Sequence, residues 1–246
     1  MKLGNTSVYD AAFYEAQAPG STRSARVVAP LVLSKFHVRS LVDVGCGLGT
    51  WAAVFQELGV KDVWGVDGEY VYRDRLQISS DRFIPADLAK PLILDRRFDL
   101  AICLEVAEHL NAEAAPTLVE SLSRLADVIL FSAAQPGQDG TQHVHEQWPT
   151  YWATLFDSYG YSPIDCIRPL IWEHPDVDWW YAQNIILYVA RRVIQANPDL
   201  LKQLPVAGHI HPGSPAALPN FLRLFDKHDW NPGVTWCARA LYRAFR

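Results

Sequence analysis

Four residues, Asp43, Gly45, Gly47 and Gly49, share one short stretch, Asp43-Val44-Gly45-Cys46-Gly47-Leu48-Gly49. It follows an apolar run and precedes a helical one. Glycines in that setting allow a tight turn and let a ligand touch the backbone. The start of the next helix adds unpaired N–H groups and the positive end of a dipole. This arrangement can hold an anionic or carboxylate-bearing, nucleotide-like ligand at the carboxyl ends of strands. A dinucleotide loop reads G-x-G-x-x-G, whereas here the third glycine comes one position early and Thr50 fills the later slot. No Lys-Ser/Thr pair follows, so the loop is not a P-loop. A second acid, Asp67, closes the run Asp62–Asp67 and has the oxygens to hold two ribose hydroxyls. A third, Asp87, lies within Pro85-Ala86-Asp87-Leu88. The plainer reading is that Asp43 satisfies loop N–H groups and Asp87 closes a turn.

Two further segments carry acid–base chemistry. In Leu104-Glu105-Val106-Ala107-Glu108-His109-Leu110, a helical path would put Glu105 and His109 on one side with Glu108 adjacent. His109 is then a general base or substrate ligand oriented by a carboxylate, or a ring packed beneath the glycine loop. In Gly140-Thr141-Gln142-His143-Val144-His145-Glu146-Gln147-Trp148-Pro149, the residues His143, His145 and Glu146 are candidates for acid–base or substrate-binding roles. The plainer reading has His143 and Glu146 capping the following helix. His-x-His is a metal pair if extended, but no third ligand follows at suitable spacing, so no metal is expected.

The elements that must position these groups alternate. Ser40–Val44, Asp62–Asp67, Arg82–Pro85, Phe98–Leu104 and Asp127–Ala133 read as strands, with Thr50–Leu58 (closed by Gly59) and Ala112–Leu125 as helices. Residues 134–147 read as a loop, Trp148–Tyr159 as a helix, and Ile164–Arg168 and Asn184–Ala190 as the last two strands. The expectation is an α/β, Rossmann-like, seven-stranded and mostly parallel sheet with helices on both faces and an antiparallel last strand. Residues 1–38 read as a helical lid with a turn at Pro19-Gly20 and a cap at Ser21 or Thr22. Residues 39–194 form the ligand-binding domain, with acceptor-site insertions at 134–182. Residues 195–246 form an extension ending in a basic helix, Thr235–Arg246.

Composition narrows the class. The chain has 246 residues, is half apolar and carries a formal charge of −5. It can bury a full core and lacks the basic balance of a nucleic-acid binder. Its four cysteines lie far apart, which argues for buried thiols rather than a zinc site or disulfide framework. No apolar run reaches the roughly 18 residues of a membrane span, and the start of the chain lacks a signal peptide's apolar core, so a cytoplasmic protein without membrane partners is expected. Five of the nine tryptophans, Trp148, Trp152, Trp172, Trp179 and Trp180, crowd into one stretch. They are expected to roof a pocket for an acceptor with an apolar or planar face, with an aromatic homodimer interface as the alternative.

The ladder of acids at successive strand ends, the early third glycine and the Glu108-His109-Leu110 stretch together resemble the class I S-adenosylmethionine-dependent methyltransferases, small-molecule branch. The resemblance covers roughly residues 40–190. It implies S-adenosylmethionine as cofactor, leaving S-adenosylhomocysteine. It further implies cofactor contacts from Asp43, Gly45, Cys46, Gly47, Gly49, Trp51, Asp67, Gly68, Ala86, Asp87, Leu88, Leu104, Glu105 and His109. The loop after the fifth strand resembles a Gly-His-Val-Asn-Glu-Gln-Trp-Pro stretch of methyltransferase-domain proteins from bacterial biosynthetic clusters, with His145 in place of the Asn. Nucleic-acid base methylation is disfavoured, because Leu-Glu-Val-Ala replaces the Asn/Asp-Pro-Pro-Tyr/Phe motif of those enzymes. The implied activity is methyl transfer to a small molecule in natural-product or glycan biosynthesis, with oxygen favoured over nitrogen or carbon. His143, His145, His109 and Glu146 are the catalytic candidates, and Tyr14, Trp148, Trp152 and Trp180 the substrate-binding ones. An NAD(P)-dependent oxidoreductase and a non-catalytic scaffold are the competing readings.

Overall fold

The computed structural model describes residues 11–202 together with His211 and Ser214, and side chains from Gln17 to Leu200 within that span. Among these residues, seven strands form one sheet in the order β3-β2-β1-β4-β5-β7-β6. They are β1 (Ser40–Val44), β2 (Asp62–Asp67), β3 (Phe83–Pro85), β4 (Leu100–Leu104), β5 (Val128–Ser132), β6 (Tyr161–Ile164) and β7 (Ile186–Ala190). β7 runs antiparallel to both β5 and β6, and the other pairings are parallel. The helices are α1 (Ala11–Leu33), α2 (Thr50–Glu57), α3 (Ala115–Leu125), α4 (Pro149–Ser158), α5 (Arg168–Ile171), α6 (Trp179–Asn184) and α7 (Arg191–Ala196).

Alternation along each strand explains why the central strands are apolar throughout. Leu41, Leu100, Ile102, Leu130 and Leu187 face one layer, with Ala25, Val28 and Val32 of α1 and Phe55 of α2. Val42, Ala101, Cys103, Ile129 and Phe131 face the other, with Leu118 and Leu122 of α3 and Phe156 of α4. Parallel strands covered on both faces have no solvated side to mark with polar residues. Strand order reverses between β1 and β4, and a ligand crevice opens at such a switch point, outside the carboxyl ends of the strands.

Three expectations need correcting. The turn at Pro19-Gly20 is absent: α1 continues through both residues. Gly20 gives the helix close contact with Asp178, whose carboxyl any Cβ there would strike. Ser21 and Thr22 are therefore inside the helix rather than capping it. Ser21 shares a hydrogen bond with the Tyr181 hydroxyl, and Thr22 donates back to Ala18 O. The strand expected at Ile164–Arg168 lies earlier, because pairing to β7 spans Tyr161–Ile164 and then stops. Beyond it, Asp165 and Arg168 form a buried ion pair instead, and Arg168 opens α5. After β7 come α7 and a 3-10 turn at Pro198–Lys202, and the helix expected at Thr235–Arg246 lies outside the described residues.

Among the described residues, no helix is long and apolar enough to cross a membrane.

Candidate active site

The glycine loop turns because it must. Gly45, Gly47 and Gly49 have φ of 83°, 52° and 77°, in the left-handed region that glycine adopts without penalty. Gly45 also lies against Val106, whose methyl groups a Cβ would strike. Gly49 is the N-cap of α2 and offers no side-chain cap, so the N–H groups of Thr50 and Trp51 at the start of the helix are not capped by it.

Asp67, at the end of β2, latches this loop. Its carboxylate accepts from Gly47 N at 2.7 Å, Gly68 N at 2.6 Å and the Tyr70 hydroxyl at 2.6 Å. Burial pushes its pKa up, against the lowering effect of those three bonds. Asp43 sits behind the loop and accepts from the Ala52 N–H. Burial first, then the neighbouring Asp67 charge, pushes its carboxyl up to about 8. The folded state therefore holds a proton that the unfolded chain, with a value of 3.8, gives up. Stability linked to Asp43 is present at low pH and is lost as pH rises through the folded value. Asp43→Asn should remove that loss while keeping an acceptor for Ala52. Its melting temperature should match wild type only below about pH 3.8, the unfolded value, and exceed it increasingly from there up to about pH 8, a comparison that thermal unfolding across pH makes directly.

The crevice encloses about 550 Å³, inside the roughly 300–1,000 Å³ common for small-molecule sites. Most of the expected cofactor residues line it: Gly45, Cys46, Gly47, Trp51, Asp67 and Gly68, then Ala86, Leu88, Leu104, Glu105 and His109. Asp87 does not. Its carboxyl turns back on Ala89 N and Lys90 Nζ at 3.1 Å each, so it closes a turn. Asp43 and Gly49 support the loop from outside the cavity surface.

His109 and His143 share the opposite wall, with ring centroids 5.0 Å apart. Two N–H groups of the loop after β5, those of Val144 and His145, donate to Glu108 O at 2.9 and 3.0 Å and staple it to the turn carrying His109. Glu146 accepts from His143 Nδ1 at 2.9 Å and from Gly137 N at 2.7 Å, so it orders the loop rather than capping α4. Burial, then His143, lowers the His109 pKa to about 4, so its ring is neutral near pH 7.

His145 is not part of this wall. Its ring packs against Tyr151 and Trp152, with centroids 5.4 and 5.6 Å away, in the layer beneath the site. The tryptophan expectation divides. Trp180 lines the cavity beside Trp179. Trp152 is core, packed on Phe131, because α4 presents it to the sheet. Trp148 precedes Pro149 in extended backbone at the N-cap and is 40% exposed, so the two do not share a helix face. Tyr14 belongs to the part of α1 whose side chains lie outside the described set.

Sequence reasoning missed a buried polar network. Glu105 has φ of 53° and turns its carboxylate into the cavity wall. There it accepts from Asn184 Nδ2 at 3.1 Å and Gln138 Nε2 at 2.9 Å, while Gln183 Nε2 donates to Gln138 at 3.1 Å. Burial raises the Glu105 pKa despite these bonds. Tyr181 was missed too; its hydroxyl accepts from Trp51 Nε1 at 3.2 Å and joins α6 to α1 and α2 over the crevice. The available signal was Gln183-Asn184 running straight into an all-apolar strand, where polar residues need partners.

Comparison with known proteins agrees with this geometry. Residues 14–168, more than half of the chain, match a family described as "Methyltransferase domain". No curated protein matches significantly. Among solved structures, the chain is similar to magnesium protoporphyrin IX methyltransferase from Synechocystis PCC 6803 with bound S-adenosylhomocysteine. Identity is 21% and the TM-score 0.53, covering 70% of this chain and 84% of that one. It is also similar to DesVI from Streptomyces venezuelae (15%, TM-score 0.55, 73% and 95% covered) and to the CcbJ methyltransferase from Streptomyces caelestis (14%, 0.52, 70% and 90%). The fold is that of the class I S-adenosylmethionine-dependent methyltransferases. The chain belongs to the methyltransferase-domain family.

Proposed function

We propose that this protein methylates a hydroxyl of a small-molecule acceptor, with S-adenosylmethionine as donor, in natural-product or glycan biosynthesis. One observation carries the reading: a single cavity joins the glycine loop and Asp67 to a wall made of His109, His143 and Glu105. The donor set fits the cofactor. A cradle closed to any side chain at Gly45 and a buried carboxylate at the end of β2 suit a nucleoside with an amino-acid tail. Asp67 and the loop N–H groups would hold it, with Ala86 and Leu88 beside its base. When bound, the cofactor supplies an electrophilic methyl on a sulfonium. The protein's part is alignment and exclusion of water, worth several kcal/mol and roughly 7–11 at best.

On the acceptor side, His109 and His143 accept from the hydroxyl, Glu146 fixes the ring of His143, and the hydroxyl proton passes to His143 as the methyl moves from sulfur to oxygen. Trp179 and Trp180 offer a planar apolar face. α6 and the early part of α1, through Gln17, Ala18 and Ser21, cover the crevice and act as its lid. The mild acidity of the chain suits a small molecule better than a nucleic acid.

The test is methyl transfer from labelled S-adenosylmethionine to a panel of hydroxyl, amine and activated-carbon acceptors. Label in an ether product with matching S-adenosylhomocysteine supports the reading; label confined to amines or carbon overturns its choice of oxygen. His143→Ala should cut turnover by about a hundredfold and leave S-adenosylhomocysteine affinity unchanged. Equal loss in both would put His143 at the cofactor instead.

A further inference from the structure

We propose that Glu108, His109 and His143 form a binding site for a divalent first-row transition metal on the acceptor side of the cavity. One ligand atom from each residue lies within 4.8 Å of the other two. With bonds of roughly 2.0–2.2 Å, donors on one side of a cation stand about 3.0–3.5 Å apart, so any pair spaced more widely than that closes up on binding.

The decisive feature is Glu108. It is fully buried, yet among the described residues neither carboxyl oxygen has a hydrogen-bond partner. Its polar neighbours are the N–H groups of Glu108 and Ala134, which favour its charged form, and the carboxyl of Glu105, which opposes it; none of them is a cation. A buried carboxylate with no partner is costly unless a cation or a proton compensates it.

His143 is set up as a ligand, beside His109, whose Nδ1 lies 3.4 Å from Gln142 O. His143 gives Nδ1 to Glu146, which fixes the tautomer and leaves Nε2 as the lone-pair nitrogen, the usual arrangement when a carboxylate supports a metal-binding histidine. Gly140 makes room for that ring, since a Cβ there would strike His143 Cε1 and Nε2. The backbone staple from Val144 and His145 to Glu108 O brings the loop's histidine to the adjacent pair on the turn.

Two imidazoles and one carboxylate on one side of an ion leave further coordination positions open. These positions face the cavity that His109 and His143 line. Two nitrogen donors favour Mn²⁺, Fe²⁺, Co²⁺ or Zn²⁺ over Mg²⁺. The occupant of an open position is a hydroxyl oxygen of the acceptor, which the cation would orient in place of direct hydrogen bonds to the two rings. That last assignment rests on the methyl-transfer reading, whereas the metal site itself does not.

The test uses the full chain, stripped of metal and titrated with Mn²⁺ (paramagnetic resonance of the free ion) and Co²⁺ (visible absorption), without donor or acceptor. The expected result is one equivalent bound. Glu108→Gln and His143→Ala should each raise the dissociation constant at least about tenfold, and exposed His37→Ala should leave it unchanged. Circular dichroism checks that each variant is folded, and His143→Ala decides if Glu108→Gln is not. Wild-type chain that takes up neither ion saturably, or uptake that both substitutions leave intact, overturns the site. Methyl transfer undiminished in chelator, with no uptake, would remove the metal and leave the transferase reading standing.

Discussion

Asp67→Ala should lower affinity for S-adenosylhomocysteine by at least about a hundredfold, with the fold intact. Asp67 does two jobs at once. It holds Gly47 N, Gly68 N and the Tyr70 hydroxyl, and it lines the cavity at the end of β2, where ribose hydroxyls would come. Hydrogen bonds to a charged group contribute about 1.5–3 kcal/mol each. Loss of the ribose contacts and of a preformed loop then exceeds the roughly 2.8 kcal/mol that a hundredfold represents. Asp67→Asn should recover little, because an amide turned toward one oxygen's partners points N–H at the N–H of Gly47 or Gly68. Calorimetric titration of the three proteins makes the comparison. Equal affinities would show that the loop is ordered without its latch and that the ribose lies elsewhere.

Asp165→Ala should destabilise the fold by about 3–5 kcal/mol, a fall in melting temperature on the order of 10 °C for a domain of this size. Arg168 is 2% exposed and donates to Asp165 from Nε at 2.9 Å and from a terminal nitrogen, and to Gln183 O at 3.2 Å. Removing the carboxylate strands a buried cation. The consequence reaches the site, since α6 carries Gln183, Asn184 and Tyr181, which hold Gln138, Glu105 and Trp51. Asp165→Leu combined with Arg168→Met should recover most of the loss, because no charge is left unpaired. Urea unfolding decides. A double variant no better than the single one would mean that the anchoring of α6, rather than charge pairing, sets the stability.

The parts of the fold legible in the sequence are those fixed by short-range rules. Leu100–Leu104 and residues 128–131 are apolar without alternation, the mark of strands covered on both faces. Gly59 at φ 103° ends α2 as its position implies. The glycine loop and Asp67 were readable because backbone approach and strand-end position are local properties. The acceptor wall was not. Asp139 and Gln142 adopt φ of 59° and 58°, so the chain reverses within the loop and no period tells which histidine faces the cavity. His143 does, while His145 joins the core. Trp152 was misjudged for a related reason. Its bulk suggests a pocket, but α4 aims it at Phe131. The short pairing of β6 and the course of α1 past Pro19 both depend on distant partners, Leu187 and Asp178, which local propensity does not include.

The central claim, that the crevice between the glycine loop and Asp67 is a cofactor site for S-adenosylmethionine, is tested most directly by titrating the wild-type chain with S-adenosylhomocysteine and, separately, NAD in a calorimeter. The account predicts saturable one-to-one binding of S-adenosylhomocysteine and no heat from NAD. Binding of NAD in its place, or of neither ligand, would contradict it.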